Sequence, residues 1–262
     1  MRGRSRGGRG GRALLFMLPY PWRTAVTFLV AVLAVTASVW TVRGSESVRT
    51  WALDQIETAQ LEGQTAAGPV FSGLAKDNRV ALTFDLMWGR DYIPEILRLL
   101  QQAGVRATFF ITGSWYAQYP ETTAEIIAQG HEIGYLGQTY HHLTPLDEET
   151  VRKELSPFLE AGESIPLTLF RPPFGEYNDL VLRIAKNYGY RTIMWSVDSR
   201  DWTNPGPDVI ARLVLRGVQP GSIVIFHGFS PQTPQALPAI LDGLRVRGIS
   251  AVPVGQLLGP YE

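Results

Sequence analysis

Between residues 79 and 254, seven short apolar runs alternate with six longer amphipathic segments, and this alternation limits the folds open to the chain. The runs are "RVALTFD", "RATFFIT", "HEIGYL", "LTLFRP", "RTIMWSV", "SIVIFH" and "SAVPV". Between them lie segments such as "YIPEILRLLQQAG" and "PQALPAILDGLRVRG", whose apolar residues recur with a helical period and several of which end in glycine. Repeated strand–helix units build a parallel sheet covered by helices. Two architectures satisfy that: a small, incomplete (β/α) barrel or a doubly wound open sheet. No GxGxxG or phosphate-binding P-loop follows any run, which counts against a nucleotide-binding open sheet.

Polar residues collect where these runs end. Asp85 closes the first run, "YLGQTYHH" follows the third, Arg171 closes the fourth, Asp198 and Asp201 follow the fifth, and His227 closes the sixth. Alone, each would read as a capping or surface residue. Together they mark the C-terminal face of a barrel, where such folds place their active sites. His131 begins the third run, at the opposite end, and reads as a buried structural histidine; His141 and His142 read as loop residues.

The chain has 262 residues, 45% hydrophobic and 18% charged, enough to bury a sizeable core. Its formal charge is zero but unevenly spread. Arg2, Arg4, Arg6, Arg9, Arg12 and Arg23 are the only charges before residue 43, which leaves 24 acidic against 18 basic residues, about −6, in the remainder. A mildly acidic body gives no expectation of nucleic-acid binding. With no cysteine, neither a disulfide framework nor a thiolate metal site is possible. Thr24 to Val42 carries no charge over 19 residues, long enough to cross a bilayer as a helix. The arginines before it predict a cytoplasmic N-terminus and an extracellular body on the cell membrane. A signal peptide cleaved after Ala37 is the alternative. The expected organisation is a basic tail over 1–23, a membrane anchor over 24–42, a linker over 43–76 and a globular body over 77–262.

The segments "ALTFD", "GHEIG", "FRPPFGEYN", "WSVDSRDW" and "GSIVIFH", in this order, resemble the polysaccharide deacetylase family, the NodB-homology domain of carbohydrate esterase family 4. The resemblance covers about Asp77 to Leu258. It implies an α/β fold, a distorted, incomplete (β/α) barrel of about seven parallel strands, and removal of acetyl groups from chitin-like, peptidoglycan or other acetylated glycans. Position by position it implies Asp85 as general base, Arg171 as the arginine that holds it and lowers its pKa, His227 as general acid and Asp201 as the carboxylate that tunes the histidine. Trp88, Tyr140, Pro173 and Trp202 are the implied substrate contacts. Trp88 and Gly89 also give a "TFD-x-x-WG" first motif similar to that of deacetylase-like proteins of spore formers, which points to cell-wall or spore-cortex biology.

One part of the family pattern is missing. Its metal ligands, an Asp and two His, fall here on Leu86, Leu136 and Tyr140, so no metal or other cofactor is expected. Two functions remain open. One is a hydrolase acting on an acetylated extracellular glycan, cleaving carbon–nitrogen bonds other than peptide bonds, with Tyr140 and a backbone N–H replacing the metal as oxyanion stabiliser. The other is a catalytically silent glycan-binding or scaffold protein of the cell wall or spore, with Trp88, Trp115, Trp195, Trp202 and Tyr177 stacking on sugar rings. Both take an acetylated polysaccharide or peptidoglycan as partner, with the membrane reached through the N-terminal helix.

Overall fold

The structure is a computed structural model that describes residues 68–74, 77–157 and 167–259. The expected tail over 1–23 and membrane span over 24–42 lie outside the described residues. Among the described residues no helix is long and apolar enough to cross a membrane.

Eight strands are described: β1 (Arg79–Leu86), β2 (Thr108–Ile111), β3 (Glu132–Tyr135), β4 (Leu169–Phe170), β5 (Arg191–Thr192), β6 (Val197–Asp198), β7 (Ile223–His227) and β8 (Ser250–Ala251). They form one parallel sheet in the order β5-β4-β3-β2-β1-β7-β6, with β8 paired to the start of β1. The sheet curls into a half-barrel with helices outside it. These are α1 (Ile93–Gln102), α2 (Gly113–Gln118), α3 (Pro120–Ala128), α4 (Glu148–Leu155), α5 (Asp179–Asn187), α6 (Pro207–Gly217), α7 (Thr233–Val246) and α8 (Val254–Leu258). Local chemistry sets several starts. Pro94 occupies the first turn of α1, and Asp147 and Asn178 cap α4 and α5 by accepting the N–H of Thr150 and Val181. In α1 the buried residues Ile93, Ile96, Leu97 and Leu100 follow the helical period and form one inward stripe.

Strand alternation sorts the central strands into two layers. In β1, Val80, Leu82, Phe84 and Leu86 join an outer core with the α1 stripe, whereas Ala81 belongs to an inner cluster with Phe110, Leu136, Leu169 and Ile223. Phe84 lies between Phe109 and Phe226, its ring centroid 5.0 and 5.2 Å from theirs. Leu86 packs so closely against Gly228 and Ile93 that any side chain at position 228 would collide with it.

Three features depart from the sequence expectation. The fifth run is not one strand. β5 pairs with β4 and β6 pairs with β7, so the chain passes from one sheet edge to the other through Ile193–Ser196. A period-2 apolar run cannot reveal such a break, because partners remote in sequence cause it. The expected linker also ends early. Val70 is buried and bridges Ile193 in the bend, and Ser72 bridges Ser222 just before β7, so this segment pairs with the body. Finally, α2 and α8 form outside the six segments read as helical, α8 beginning at the last residue of "SAVPV", and only Ser250–Ala251 of that run is strand.

The layering generates two stability predictions. Phe84→Ala removes the central ring of the outer stack and should lower the unfolding free energy by about 3–5 kcal/mol, read from urea denaturation. Leu86→Asp places a carboxylate in that same apolar layer and should cost a similar amount, about 3–5 kcal/mol. Added zinc should not recover the loss, because one carboxylate does not make a zinc site.

Candidate active site

The inward alternation that sends Leu86 to the outer core turns its neighbour Asp85 into the barrel. Asp85 is 2% exposed, and its Oδ1 accepts a 2.6 Å hydrogen bond from Nη1 of Arg171, which is fully buried. Arg171 immediately follows β4. Its other donors reach the carbonyls of Ile193 (3.3 Å) and Met194 (3.2 Å), so the same guanidinium holds both Asp85 and the bend between β5 and β6. Its carbon lies 4.1 Å from the Phe110 ring centroid. Phe110 reaches this place because Gly134 in β3 carries no side chain; a Cβ there would overlap the ring. The second glycine of "GHEIG" is thus a packing requirement, separated from the charged pair only by Phe110.

The sequence reading expected Arg171 to depress the Asp85 pKa, and the balance runs the other way. Burial raises the Asp85 carboxyl above the usual range, and the opposing pull of Arg171 and His227 does not cancel it. Burial likewise lowers Arg171, although an arginine remains charged. Asp85 is therefore a stronger base than a solvated aspartate.

Asp201 and His227 form the second pair. Asp201 opens a short turn, Asp201–Thr203, after β6 and is fully buried. Its Oδ1 faces His227 Nδ1 at 2.7 Å and its Oδ2 accepts the His227 backbone N–H at 2.8 Å and the Thr233 hydroxyl. This network orients the imidazole, with Nδ1–H donating to the carboxylate, and leaves Nε2 free of that pairing. Burial pushes the imidazole pKa down, but the hydrogen bond and charge of Asp201, helped by Asp85 and Asp198, outweigh it and hold the group above the ordinary histidine range. Asp85 and His227 are direct register partners on β1 and β7. The two pairs therefore stand side by side.

Both open on one cavity of about 420 Å³, lined by Asp85, Met87, Trp88, Tyr140, Phe174, Gly175, Trp195, Asp198, Trp202, Ile225, His227 and Phe229. Of the residues expected to contact substrate, Trp88, Tyr140 and Trp202 line it, and Trp88 and Trp202 are more than half exposed at 56% and 53%. Pro173 does not line it: the proline is buried at the start of a short turn, and Phe174 beside it faces the cavity. Trp115 is not in the groove either. It is 1% exposed in the outer core, its Nε1 bound to the Gly89 carbonyl, and Tyr177 is exposed but outside the cavity. The sequence reading missed Phe174 and Phe229. Phe229 lies two residues beyond His227, and that spacing was its only signal.

The three positions where the resemblance implied metal ligands separate into two layers, Leu86 on one side and Leu136 with Tyr140, which packs against the same inner cluster, on the other. Leu86 faces the outer core, Leu136 the inner cluster, and Tyr140 the cavity. Leu86 and Leu136 carry no donor atom. His141 and His142 do not line the cavity; they contact Thr139 and Glu176. Among the described residues no three His, Cys, Asp or Glu side chains are grouped to hold an ion. The residues present do not fit the family's metal. His131 lies at the far end of the barrel, where its Nδ1 accepts the Ala107 N–H and burial lowers its pKa to about 4.

Comparison with known proteins agrees with this architecture. A family model described as polysaccharide deacetylase matches residues 73–193. A peptidoglycan-N-acetylglucosamine deacetylase of Bacillus cereus is 36% identical over 187 residues, covering 68% of this chain and 87% of that protein. A chitooligosaccharide deacetylase of Sinorhizobium fredii is 33% identical, covering 64% and 86%. Among solved structures, the wild-type BA3943 of Bacillus anthracis, described as a CE4 family pseudoenzyme, superposes with a TM-score of 0.71 at 31% identity, covering 74% of this chain and 70% of that one. A BA3943 mutant described as having restored enzymatic activity superposes equally well, with a TM-score of 0.71 at 32% identity over 74% of this chain and 72% of that one. With its fold, its two side-by-side charge pairs and these likenesses, the chain belongs to the polysaccharide deacetylase family.

Proposed function

We propose that the protein is a deacetylase-type hydrolase that acts on an N-acetylated cell-wall or other extracellular glycan, peptidoglycan or chitin-like, without a metal ion. The observation that carries this reading is the register pairing of Asp85 and His227, each held by its own counter-charge and both lining one aromatic-rimmed cavity. A cavity that only bound sugar would have no need of a buried base and a poised acid. The deacetylases of Bacillus cereus and Sinorhizobium fredii support the substrate class.

In this reading water attacks the acetyl carbonyl while Asp85 takes its proton, giving a tetrahedral intermediate. Protonated His227 then gives its proton to the leaving nitrogen as the carbon–nitrogen bond breaks. The products are a free amine and acetic acid, which ionises to acetate in solvent; Asp85 then gives up its proton and His227 takes one back, which restores the site. The Lewis acid of the family normally contributes several kcal/mol, so turnover is slow, about 10²–10⁴-fold below that of a metal-dependent relative. The exposed rings of Trp88, Phe174 and Trp202 supply stacking faces for sugar on either side of the reacting group.

The absence of donor atoms at Leu86 and Leu136 favours a second reading, a glycan-binding protein without turnover. Release of acetate from N-acetylated chitotetraose or peptidoglycan in the presence of a chelator separates the two. Binding without release establishes the second reading.

The charge-free stretch over 24–42 and the arginines before it support a body held on the outer face of the cell membrane. Protease added to intact cells should remove the body; a protected body would reverse this orientation.

Acetate release should follow a bell-shaped pH profile. Asp85 acts only when ionised, and because burial raises its pKa, the acid limb should lie above the 3.8 of a solvated aspartate. His227 acts only when protonated, and because its pKa is raised, the alkaline limb should lie above 6.5. Asp85→Asn and His227→Gln should each lower the rate by about 10²-fold or more. Unchanged rates in folded variants would remove these residues from the chemistry.

A further inference from the structure

Tyr140 enters the cavity from the loop after β3 with its ring held on two sides. The Trp88 ring meets it edge-on with centroids 5.7 Å apart, and the Phe174 ring lies 4.5 Å away. Its hydroxyl oxygen accepts the backbone N–H of Phe174 at 3.3 Å. Phe174 follows Pro172 and Pro173 and adopts a left-handed backbone, φ 57°, which a bulky L residue avoids unless its surroundings impose it. The strained turn therefore presents a main-chain donor to the phenol.

This arrangement fixes where the phenol proton can go. A tyrosine hydroxyl has one proton and accepts through its lone pairs. With the Phe174 N–H on one lone pair, the proton is left for an acceptor other than that backbone group, and the bond received polarises the O–H. The charges of Asp85 and Arg171 both act on this hydroxyl. Burial, the larger influence, raises its pKa to about 12, so it is a donor throughout the neutral range. Rigid, protonated and sharing the cavity with base and acid, it has the attributes of an oxyanion donor.

We propose that Tyr140 is the acetyl-oxygen contact of this site, its hydroxyl donating to the carbonyl of the bound acetyl group and more strongly to the oxyanion that forms when water adds. The proton stays on Tyr140 while it is shared. When the carbon–nitrogen bond breaks and the carbonyl reforms, the hydrogen bond relaxes and no net proton moves. Tyr140 stands where the family places a metal ligand, so a neutral hydrogen bond takes over part of an electrophile's task. The inference rests on the glycan-hydrolase reading above, and it names the group that reads the acetyl.

The test compares N-acetylated and fully deacetylated chitotetraose binding to the wild-type protein and to Tyr140→Phe by calorimetry. The substitution keeps the ring and removes only the hydroxyl. Tyr140→Phe should bind the N-acetylated tetramer about three- to tenfold more weakly and the deacetylated tetramer within about twofold of wild type. Retained binding of the deacetylated tetramer also shows that the variant is folded. Equal loss for both ligands would overturn the proposal by giving the residue a packing role. Unchanged or tighter binding of the N-acetylated ligand would overturn it by showing that the hydroxyl blocks the acetyl position. If the wild-type protein binds neither tetramer, the glycan reading itself fails, and the proposal fails with it.

Discussion

The buried pair of Asp85 and Arg171 is the constraint around which the site is built. Removing two charges from water is costly, and their attraction offsets this only with close geometry and further hydrogen bonds. The structure supplies both. The 2.6 Å contact is accompanied by two backbone carbonyls, from Ile193 and Met194, and by the face of Phe110 under the guanidinium. Each supporting group has its own requirement. Phe110 needs Gly134, and the carbonyls need the chain to leave the β5 ladder and bend toward β6. The break in the fifth run and the glycine of the third thus have one origin.

That bend also delivers the second pair. After Ile193–Ser196 the chain joins the opposite sheet edge as β6, and Asp201 follows three residues later, beside β7. There its carboxylate holds His227 through both the ring and the backbone. The two pairs then act on each other. Asp85 helps keep His227 protonated, and His227 opposes the upward drift of Asp85. Burial decides the sign for Asp85 and the aspartate decides it for His227. The result is a base and an acid with pKa values raised from those in water, adjacent on neighbouring strands.

Strand parity separates the three positions where the resemblance implied metal ligands. Leu86 follows Asp85 on a strand, so its side chain takes the opposite face and belongs to the outer core with Phe84 and Ile93. Leu136 fills the inner cluster beneath the cavity. Only Tyr140 remains at the mouth, in an unbroken set of ring contacts running from His142 through Phe174, Tyr140 and Trp88 to Phe229. Two of the positions have become packing, and one retains a polar atom facing the reacting groups.

Much of this was legible in the chain. The alternation of apolar runs and helical segments determined a parallel α/β sheet, because each pattern can bury its apolar face in only that way. The residues at run ends, Asp85, Arg171, Asp201 and His227, were readable as one group because parallel strands in a barrel all end on the same face. Other features depended on contacts between residues remote in sequence. Nothing in "RTIMWSV" foretells that Arg171 takes two of its carbonyls, and nothing in "GSWYAQ" separates a groove tryptophan from the buried Trp115. The sequence alone also suggested a depressed Asp85, since it shows the neighbouring arginine but not the loss of water around both charges. Charge and periodicity are local properties and can be read from a string. Desolvation, strand breaks and which ring faces a cavity arise only when distant segments pack, and only the tertiary structure decided them.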